Sequence, residues 1–136
     1  DSKTLFQDIA LLEVCLEKAP NDRRTLFHLA VFLEEAGQDL LSLERFTQRA
    51  HLGGSEEEVY YALFRMGALK EKLAFPSQEI IDSYSRACSF RPQRSEALVA
   101  LAIYQAKQKN YETAYILLQR ALQNPLPEDT IYVAWN

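Results

Sequence analysis

The sequence predicts an all-α protein, and two observations carry this prediction. Apolar residues recur at helical spacing almost throughout the 136 residues, and no stretch shows the strict alternation of a half-buried strand. Only 4 Gly and 5 Pro are present, which leaves little room for the many tight turns of a β sandwich. We therefore expect seven helices, joined by connections so short that neighbouring helices run antiparallel.

Three helices are predicted in the first part of the chain, over 3–19, 22–36 and 39–52. The first two carry apolar stripes with steps of three and four residues, which place these side chains on one helix face. Breaks at Pro20 and Gly37 separate the three segments. The stripe residues are Leu5, Ile9, Leu12 and Leu16 in the first helix, and Leu26, Leu29, Ala30 and Leu33 in the second.

Four further helices are predicted over 56–74, 77–90, 94–108 and 110–124. Ser55 and Glu58 fit a capping box, and negative charge is favoured at a helix N-terminus. We therefore interpret the acidic run at residues 56–58 as a helix start rather than a ligand site. The remaining breaks fall at Gly53-Gly54, Pro76-Ser77, Arg91-Pro92 and Pro125-Leu126-Pro127.

These breaks are periodic. Pro20, Gly54, Pro92 and Leu126 follow one another at spacings of 34, 38 and 34 residues. A period of 34 is that of the tetratricopeptide repeat, a helical hairpin, and the longer spacing adds about one helical turn. We therefore predict a single domain over 1–136. It comprises a half repeat at 1–20, repeats at 21–54, 55–92 and 93–127, and the start of a further element at 128–136.

The residues inside each period resemble the tetratricopeptide signature. That signature has large, Leu, small and large residues in the first helix, then small, aromatic and small residues in the second. The sequence departs from it at Phe64, Arg49 and Gly54, where a small residue, Ala and Pro are usual, respectively. The resemblance implies a right-handed αα-superhelix with a concave inner surface, in which each repeat covers the open apolar face of its neighbour. In the last complete repeat the matching residues are Leu98, Leu101, Ala102 and Gln105, then Ala114, Leu118 and Ala121.

A closer resemblance extends from about Asp22 to Val133. Four segments are similar, in order and spacing, to the repeat region that follows the catalytic domain of bacterial-type family-2 glycosyltransferases. The resemblance implies a non-catalytic appendage that positions a protein acceptor or braces a catalytic domain of the same chain. The chain begins at Asp1 and stops at Asn136 within a new element, so we expect a piece of a longer protein. The segments are RAHLGGSEEEVYYALFRMG, IDSYSRACSFRPQRSEALVALAIY, NYETAYILLQRAL and NPLPEDTIYV.

Composition argues against two classes of partner. The net charge is −4 and no basic stripe is present, so nucleic acid is not expected. The longest apolar run, over residues 97–104, is far shorter than a membrane span, so we expect no membrane partner and a cytoplasmic location.

The sequence holds no pattern typical of a catalytic or metal site. His28 and His51 lie on different helices, and no nucleophile elbow, P-loop or DxD motif occurs. Cys15 and Cys88 fall in apolar helical patterns without a CxxC motif, so both are expected to be buried free thiols. We therefore expect a non-enzyme with no cofactor and no metal.

The resemblance also implies which residues face the concave groove, by their positions in the first helix of each repeat. The expected groove has an apolar track edged by cations, which suits an extended or helical peptide. Two alternatives stay open: these residues merely cover a shallow groove, or the module self-associates through its uncapped C-terminal end. That end carries Ile116, Leu117 and Leu122, over which Ile131, Tyr132, Val133 and Trp135 are candidates to fold back. The candidate groove residues are Arg24, Phe27, His28, Val31, Tyr61, Arg65, Val99, Ile103 and Lys107.

Overall fold

The computed structural model describes residues 1–125. Seven α-helices and no strand occur within that range, which confirms the predicted all-α class. Every helix begins and ends within two residues of its predicted bounds. The element predicted at 128–136 lies outside the described residues, and the repeat boundaries stay a prediction. The helices are α1 (Ser2–Lys18), α2 (Arg23–Glu35), α3 (Asp39–Leu52), α4 (Glu56–Lys72), α5 (Ser77–Phe90), α6 (Glu96–Lys107) and α7 (Tyr111–Gln123).

Three helices begin at side-chain caps, of which the sequence analysis predicts the one at Ser55. Asp1 and Asp22 accept from the backbone N–H of Thr4 (2.9 Å) and Thr25 (3.1 Å), respectively. Ser55 Oγ accepts from the Glu58 N–H at 3.3 Å, as half of the predicted capping box. The Glu58 carboxylate binds arginines instead of completing the box.

The helices stack as antiparallel hairpins. α2 packs on α3, α4 on α5 and α6 on α7, while α3 contacts α4 and α5 contacts α6, so each hairpin covers the next. α1 packs on α2 through Ile9 and Leu16, which share a core cluster with residues of that helix. The central core runs from Phe27 on α2 to Ala121 on α7, so one apolar interior joins all three hairpins.

The first helix of each hairpin (α2, α4 and α6) ends in the same way, with one residue in the left-handed region of backbone conformation. Gly37 has φ +78°, Ala74 has φ +60° and Lys109 has φ +66°. In each case the backbone N–H of the following residue donates a 2.9 Å hydrogen bond to the carbonyl five residues before it, within the helix. This C-terminal motif turns the chain sharply into the second helix of each hairpin.

The expectation that both cysteines are buried is wrong for Cys15. Cys88 is buried, and desolvation raises the pKa of its thiol to about 11. Cys15 is exposed because the apolar stripe that α1 lays on α2 runs along Ile9 and Leu16, and Cys15 points away from it. Its place in an apolar pattern therefore does not bury it among the described helices.

Candidate peptide-binding face

The first helices of the hairpins position the candidate groove residues. Phe27, on α2, is 6% exposed, and its ring meets that of Tyr61, on α4, edge-on with centroids 5.5 Å apart. Val99, on α6, is half-buried, while Ile103 one turn later is 50% exposed. The track is therefore a covered aromatic contact at the α2 end and an open apolar surface at the α6 end.

Arg24 lies at the α2 end and is bound to the next hairpin. Its guanidinium forms an ion pair with Glu58 and lies 3.0 Å from His28 Nε2. The other Glu58 oxygen accepts from Arg49 Nε at 3.0 Å, and both Arg49 and Glu58 are buried. The Glu58 carboxylate thus joins an exposed arginine of the face to a buried arginine of α3.

Arg65 is held most firmly of the predicted cations. It binds Glu34 through two hydrogen bonds, from Nε to Oε1 at 3.0 Å and from Nη2 to Oε2. Its guanidinium also lies 5.4 Å from the centroid of the Phe64 ring. Burial alone lowers the pKa of Arg65, but the Glu34 carboxylate outweighs it and the net shift is upward, so this arginine stays charged.

Lys107 lies at the α6 end. Its Nζ is 3.0 Å from Glu71 Oε2, while the other Glu71 oxygen accepts from the Tyr84 hydroxyl at 2.9 Å. Burial raises the pKa of Tyr84, and the Glu71 carboxylate adds to that rise. Lys107 therefore belongs to a chain of polar contacts that links α6, α4 and α5.

All three predicted cations bind a carboxylate of an adjacent first helix. The side chains of Arg24 and Lys107 are 67% and 61% exposed, whereas that of Arg65 is 26% exposed and bidentate. Exposed ion pairs contribute about 0–1 kcal/mol, so a ligand carboxylate can replace Glu71 at Lys107 at little cost. Arg24 and Lys107 are thus the cations best placed to meet a ligand, and a role in binding stays a prediction for the whole set.

Comparison with known proteins shows which fold the chain has. A scan against protein-family models and a search of curated proteins found no match for this chain. Among solved structures, the one described as "MamA MSR-1 C2" superposes with a TM-score of 0.73 at 20% identity, covering 88% of this chain and 67% of its own. "MamA RS-1 ArsTM double mutant" gives a TM-score of 0.77 at 12% identity, over 89% and 66% of the two chains.

A third structure, "Crystal structure of MamA", gives a TM-score of 0.72 at 19% identity and covers 84% of this chain and 64% of its own. The fold is a tetratricopeptide-type solenoid. This chain spans about two thirds of the length of these MamA chains, and identities this low show the shared fold alone.

One polar cluster of this tetratricopeptide-type solenoid is absent from the sequence predictions. Arg94, with a side chain 2% exposed, forms ion pairs with Glu57 and, at 2.8 Å, with Glu96. Its guanidinium lies 5.3 Å from the centroid of the Tyr60 ring, and the Tyr60 hydroxyl accepts from the Ala97 N–H at 3.1 Å. The available signal was opposite charge about one repeat apart, since Glu57 and Arg94 are 37 residues apart.

The solenoid also has a second concavity, away from the face built by the first helices. It is a groove of about 700 Å³ whose walls are mainly small or apolar. Arg86 lies at its edge and forms no ion pair with any residue in the described range. The lining residues are Ala50, Val59, Leu63, Asp82, Ser85, Arg86, Ser89 and Phe90.

The tetratricopeptide-type solenoid shows neither a metal site nor a membrane span over residues 1–125. No group of three or more His, Cys, Asp or Glu side chains in that range is arranged to hold a metal ion. No helix in the same range combines the length and the apolar composition needed to cross a membrane.

Proposed function

We propose that the chain is a non-catalytic scaffold that binds a protein or peptide along the face built by α2, α4 and α6. The observation that carries the proposal is the open α6 end, where Ile103 is half exposed and Lys107 follows one turn later. An apolar ligand side chain can pack on Val99 and Ile103 while a ligand carboxylate takes the place of Glu71 at Lys107. This arrangement of an apolar anchor beside a charged rim suits an extended or helical peptide.

The proposal gives the two ends of the face different roles. Phe27 is already covered by Tyr61, so a ligand there contacts ring edges rather than an empty pocket. Arg24 remains exposed beside His28 and offers a second charged contact. Apolar anchoring therefore belongs to the α6 end, and the α2 end contributes mainly polar contacts.

The sequence resemblance to a known family favours a more specific partner. On the sequence resemblance alone, we propose an accessory region of a family-2 glycosyltransferase in the cytoplasm, which presents a protein acceptor or braces the catalytic domain. Sequencing the full-length parent tests this part separately. A strand-rich α/β segment with a DxD-type carboxylate pair supports it, and its absence leaves a general peptide-binding scaffold.

The groove itself is tested with peptides selected from a displayed random library against this chain. Tyr61→Ala combined with Val99→Ala is expected to weaken their binding at least tenfold, with helical content by circular dichroism retained. Ser85→Trp, which fills the second groove, is the matched control and should leave the affinity unchanged. If the affinity of the peptides is unchanged by the double substitution but falls with Ser85→Trp, the binding surface is the second groove and the proposal is refuted.

Self-association is the alternative function, and one observation favours it. Leu122, near the end of α7, is 77% exposed, and Tyr115, two turns earlier on the same helix face, is 64% exposed. Exposed apolar surface of this kind marks an interaction site when it is contiguous. Sedimentation analysis over a wide concentration range separates the two functions, since assembly requires a mass that rises with concentration.

A further inference from the structure

The second groove has a neighbour across α5, which we call the third groove. The third groove has a volume of about 410 Å³ and shares Ser85 and Ser89 with the second groove, so the two grooves flank one side of α5. Its other walls come from α5, α6, α7 and the turn that follows α5. The lining residues are Ser85, Cys88, Ser89, Pro92, Leu98, Leu101, Leu117 and Arg120.

The two grooves are built in part from equivalent residues. Three lining residues of the second groove recur in the third, displaced by 38 residues in two pairs and by 34 residues in the last pair. These displacements equal the spacings between the breaks in the sequence. The solenoid therefore forms the same kind of cavity twice, each time with an arginine at the edge. The equivalent pairs are Ala50 and Cys88, Leu63 and Leu101, and Arg86 and Arg120.

The two edge arginines are exposed and have no carboxylate partner. Within residues 1–125, neither Arg86 nor Arg120 forms an ion pair or a side-chain hydrogen bond. On the face of α2, α4 and α6, by contrast, Arg24, Arg65 and Lys107 each bind a carboxylate. A guanidinium binds a carboxylate through two parallel hydrogen bonds, so each groove combines apolar walls with a donor that suits an acidic group.

The cavity at the α1 end of the solenoid differs at this position. Gln48 stands there, 38 residues before Arg86. The arginine that lines this cavity, Arg45, binds the Glu13 carboxylate of α1 at 3.0 Å and donates to Gln48 Oε1 at 3.0 Å. This cavity is therefore already supplied with a carboxylate by the chain itself, whereas the second and third grooves are not.

Asp82 sets the direction from which an acidic group can approach. It is the one acidic residue in the linings of the second and third grooves, as far as residues 1–125 are concerned, and lies one turn before Arg86. Its carboxylate accepts from Gln78 Nε2 at 2.8 Å. A ligand carboxylate is repelled near Asp82, so it reaches Arg86 from the side of Ser89 and the third groove.

We propose that the second and third grooves together bind one acidic segment of a partner protein, in which two apolar residues each lie beside an Asp or Glu. The apolar side chains enter the two grooves, and the neighbouring carboxylates bind Arg86 and Arg120. An exposed ion pair is weak by itself, so affinity comes from engaging both grooves at once. This inference goes beyond the proposed function, because it gives the solenoid a second partner on a different surface.

Fluorescence anisotropy with labelled model peptides tests the proposal on the 136-residue chain. The probes carry one or two Leu-Glu pairs, and flexible Gly-Ser spacers of about two to ten residues join the two pairs. At the spacer length that spans both grooves, the two-pair peptide should bind roughly tenfold or more tightly than the one-pair peptide. The same peptide with Gln in place of each Glu should lose most of this gain, because a neutral amide binds a guanidinium more weakly.

Arg86→Gln and Arg120→Gln should each reduce the affinity of the two-pair peptide to that of the one-pair peptide. Arg45→Gln is the matched control, since it removes the same charge from a cavity whose arginine already binds Glu13, and it should leave the affinity unchanged. Circular dichroism should show that all three variants keep their helices. An equal loss in the three variants would indicate general charge attraction and overturn the proposal. So would absence of binding, or a loss caused by Tyr61→Ala, which would assign the peptide to the face of α2, α4 and α6.

Discussion

Gly67 on α4 lies directly against the ring of Tyr84 on α5. A Cβ atom built on Gly67 would stand 2.5 Å from Tyr84 Cδ1, well inside van der Waals contact. The Tyr84 ring has no room to move aside, because it is 2% exposed, its hydroxyl donates to Glu71 at 2.9 Å and Phe64 lies beside it. A missing side chain on one helix thus lets a large ring fill the space between two helices of the same hairpin.

Gly67→Ala is expected to lower the free energy of unfolding by about 1–3 kcal/mol, the usual cost of overpacking. The helix propensity of Ala offsets roughly 1 kcal/mol of the clash but does not remove it. Tyr84→Leu in the same chain should restore part of the loss, since Leu118 fills the equivalent position in α7. Urea denaturation of the two single variants and the double variant gives the coupling energy. Additive changes would show that the contact is not the cause.

The buried pair of Arg49 and Glu58 provides a second test. Arg49→Met leaves the Glu58 carboxylate buried with one arginine fewer, which should cost about 3–5 kcal/mol. Adding Glu58→Leu removes the buried carboxylate and should recover most of the loss. Arg45→Met is the control, because the Arg45 pair with Glu13 is partly exposed and contributes about 0–1 kcal/mol. Thermal unfolding that ranks the Arg45 variant as the less stable of the two would contradict this assignment.

The sequence predicts the helices and their hairpins well because each of these features is local. Spacing of apolar residues, the cap at Ser55 and breaks such as Gly37 act within a few residues, and the structure follows them closely. The sequence marks Arg49 only as a departure from the repeat signature, yet it is buried against Glu58. Its partner lies on the next hairpin, so the contact follows from how the hairpins stack and not from any local pattern.

In the candidate groove, too, the sequence predicts some features, while others depend on packing between helices. Repeat register places Phe27 and Tyr61 side by side, as the structure has them. Their exposure depends on how closely α2 and α4 approach each other, which register does not set. Likewise, Arg65 is fixed to Glu34 by two hydrogen bonds, a pairing across helices that no short motif encodes. Position in a repeat therefore predicts which residues share a face, and packing decides which of them a ligand can reach.

Tyr60 links stability to alkaline pH. Burial raises the pKa of its phenol above the ordinary value of 10.0, although the hydrogen bond from the Ala97 N–H opposes this rise. The unfolded chain therefore ionises first, and stability that is fully present below pH about 10 decreases as the pH rises further. Tyr60→Phe should cost about 1–3 kcal/mol at neutral pH, since it leaves the Ala97 N–H unpaired, and should flatten the alkaline loss.

Urea denaturation between pH 7 and pH 10.5 measures both effects of Tyr60→Phe. Tyr111→Phe is the control, because the Tyr111 ring is 66% exposed and its loss of a hydroxyl should change neither the neutral stability nor the alkaline slope. An alkaline slope in the Tyr60 variant equal to that of the unmodified chain would assign the pH dependence to other groups, with buried Tyr84 the first to examine.

Ala74 closes α4 in a backbone conformation that favours glycine, with φ +60°. Gly37 closes α2 in the same conformation, and a Cβ at Gly37 would have no atom within 4 Å. We therefore expect Ala74→Gly to raise the free energy of unfolding by about 0.5–1 kcal/mol, and Gly37→Ala to lower it by a similar amount. Ala68→Gly, inside α4, should instead lose about 1 kcal/mol, because glycine there gains nothing from φ. Chemical denaturation of the three variants decides the matter, and a loss at Ala74→Gly as large as at Ala68→Gly would mean that the left-handed turn carries no strain.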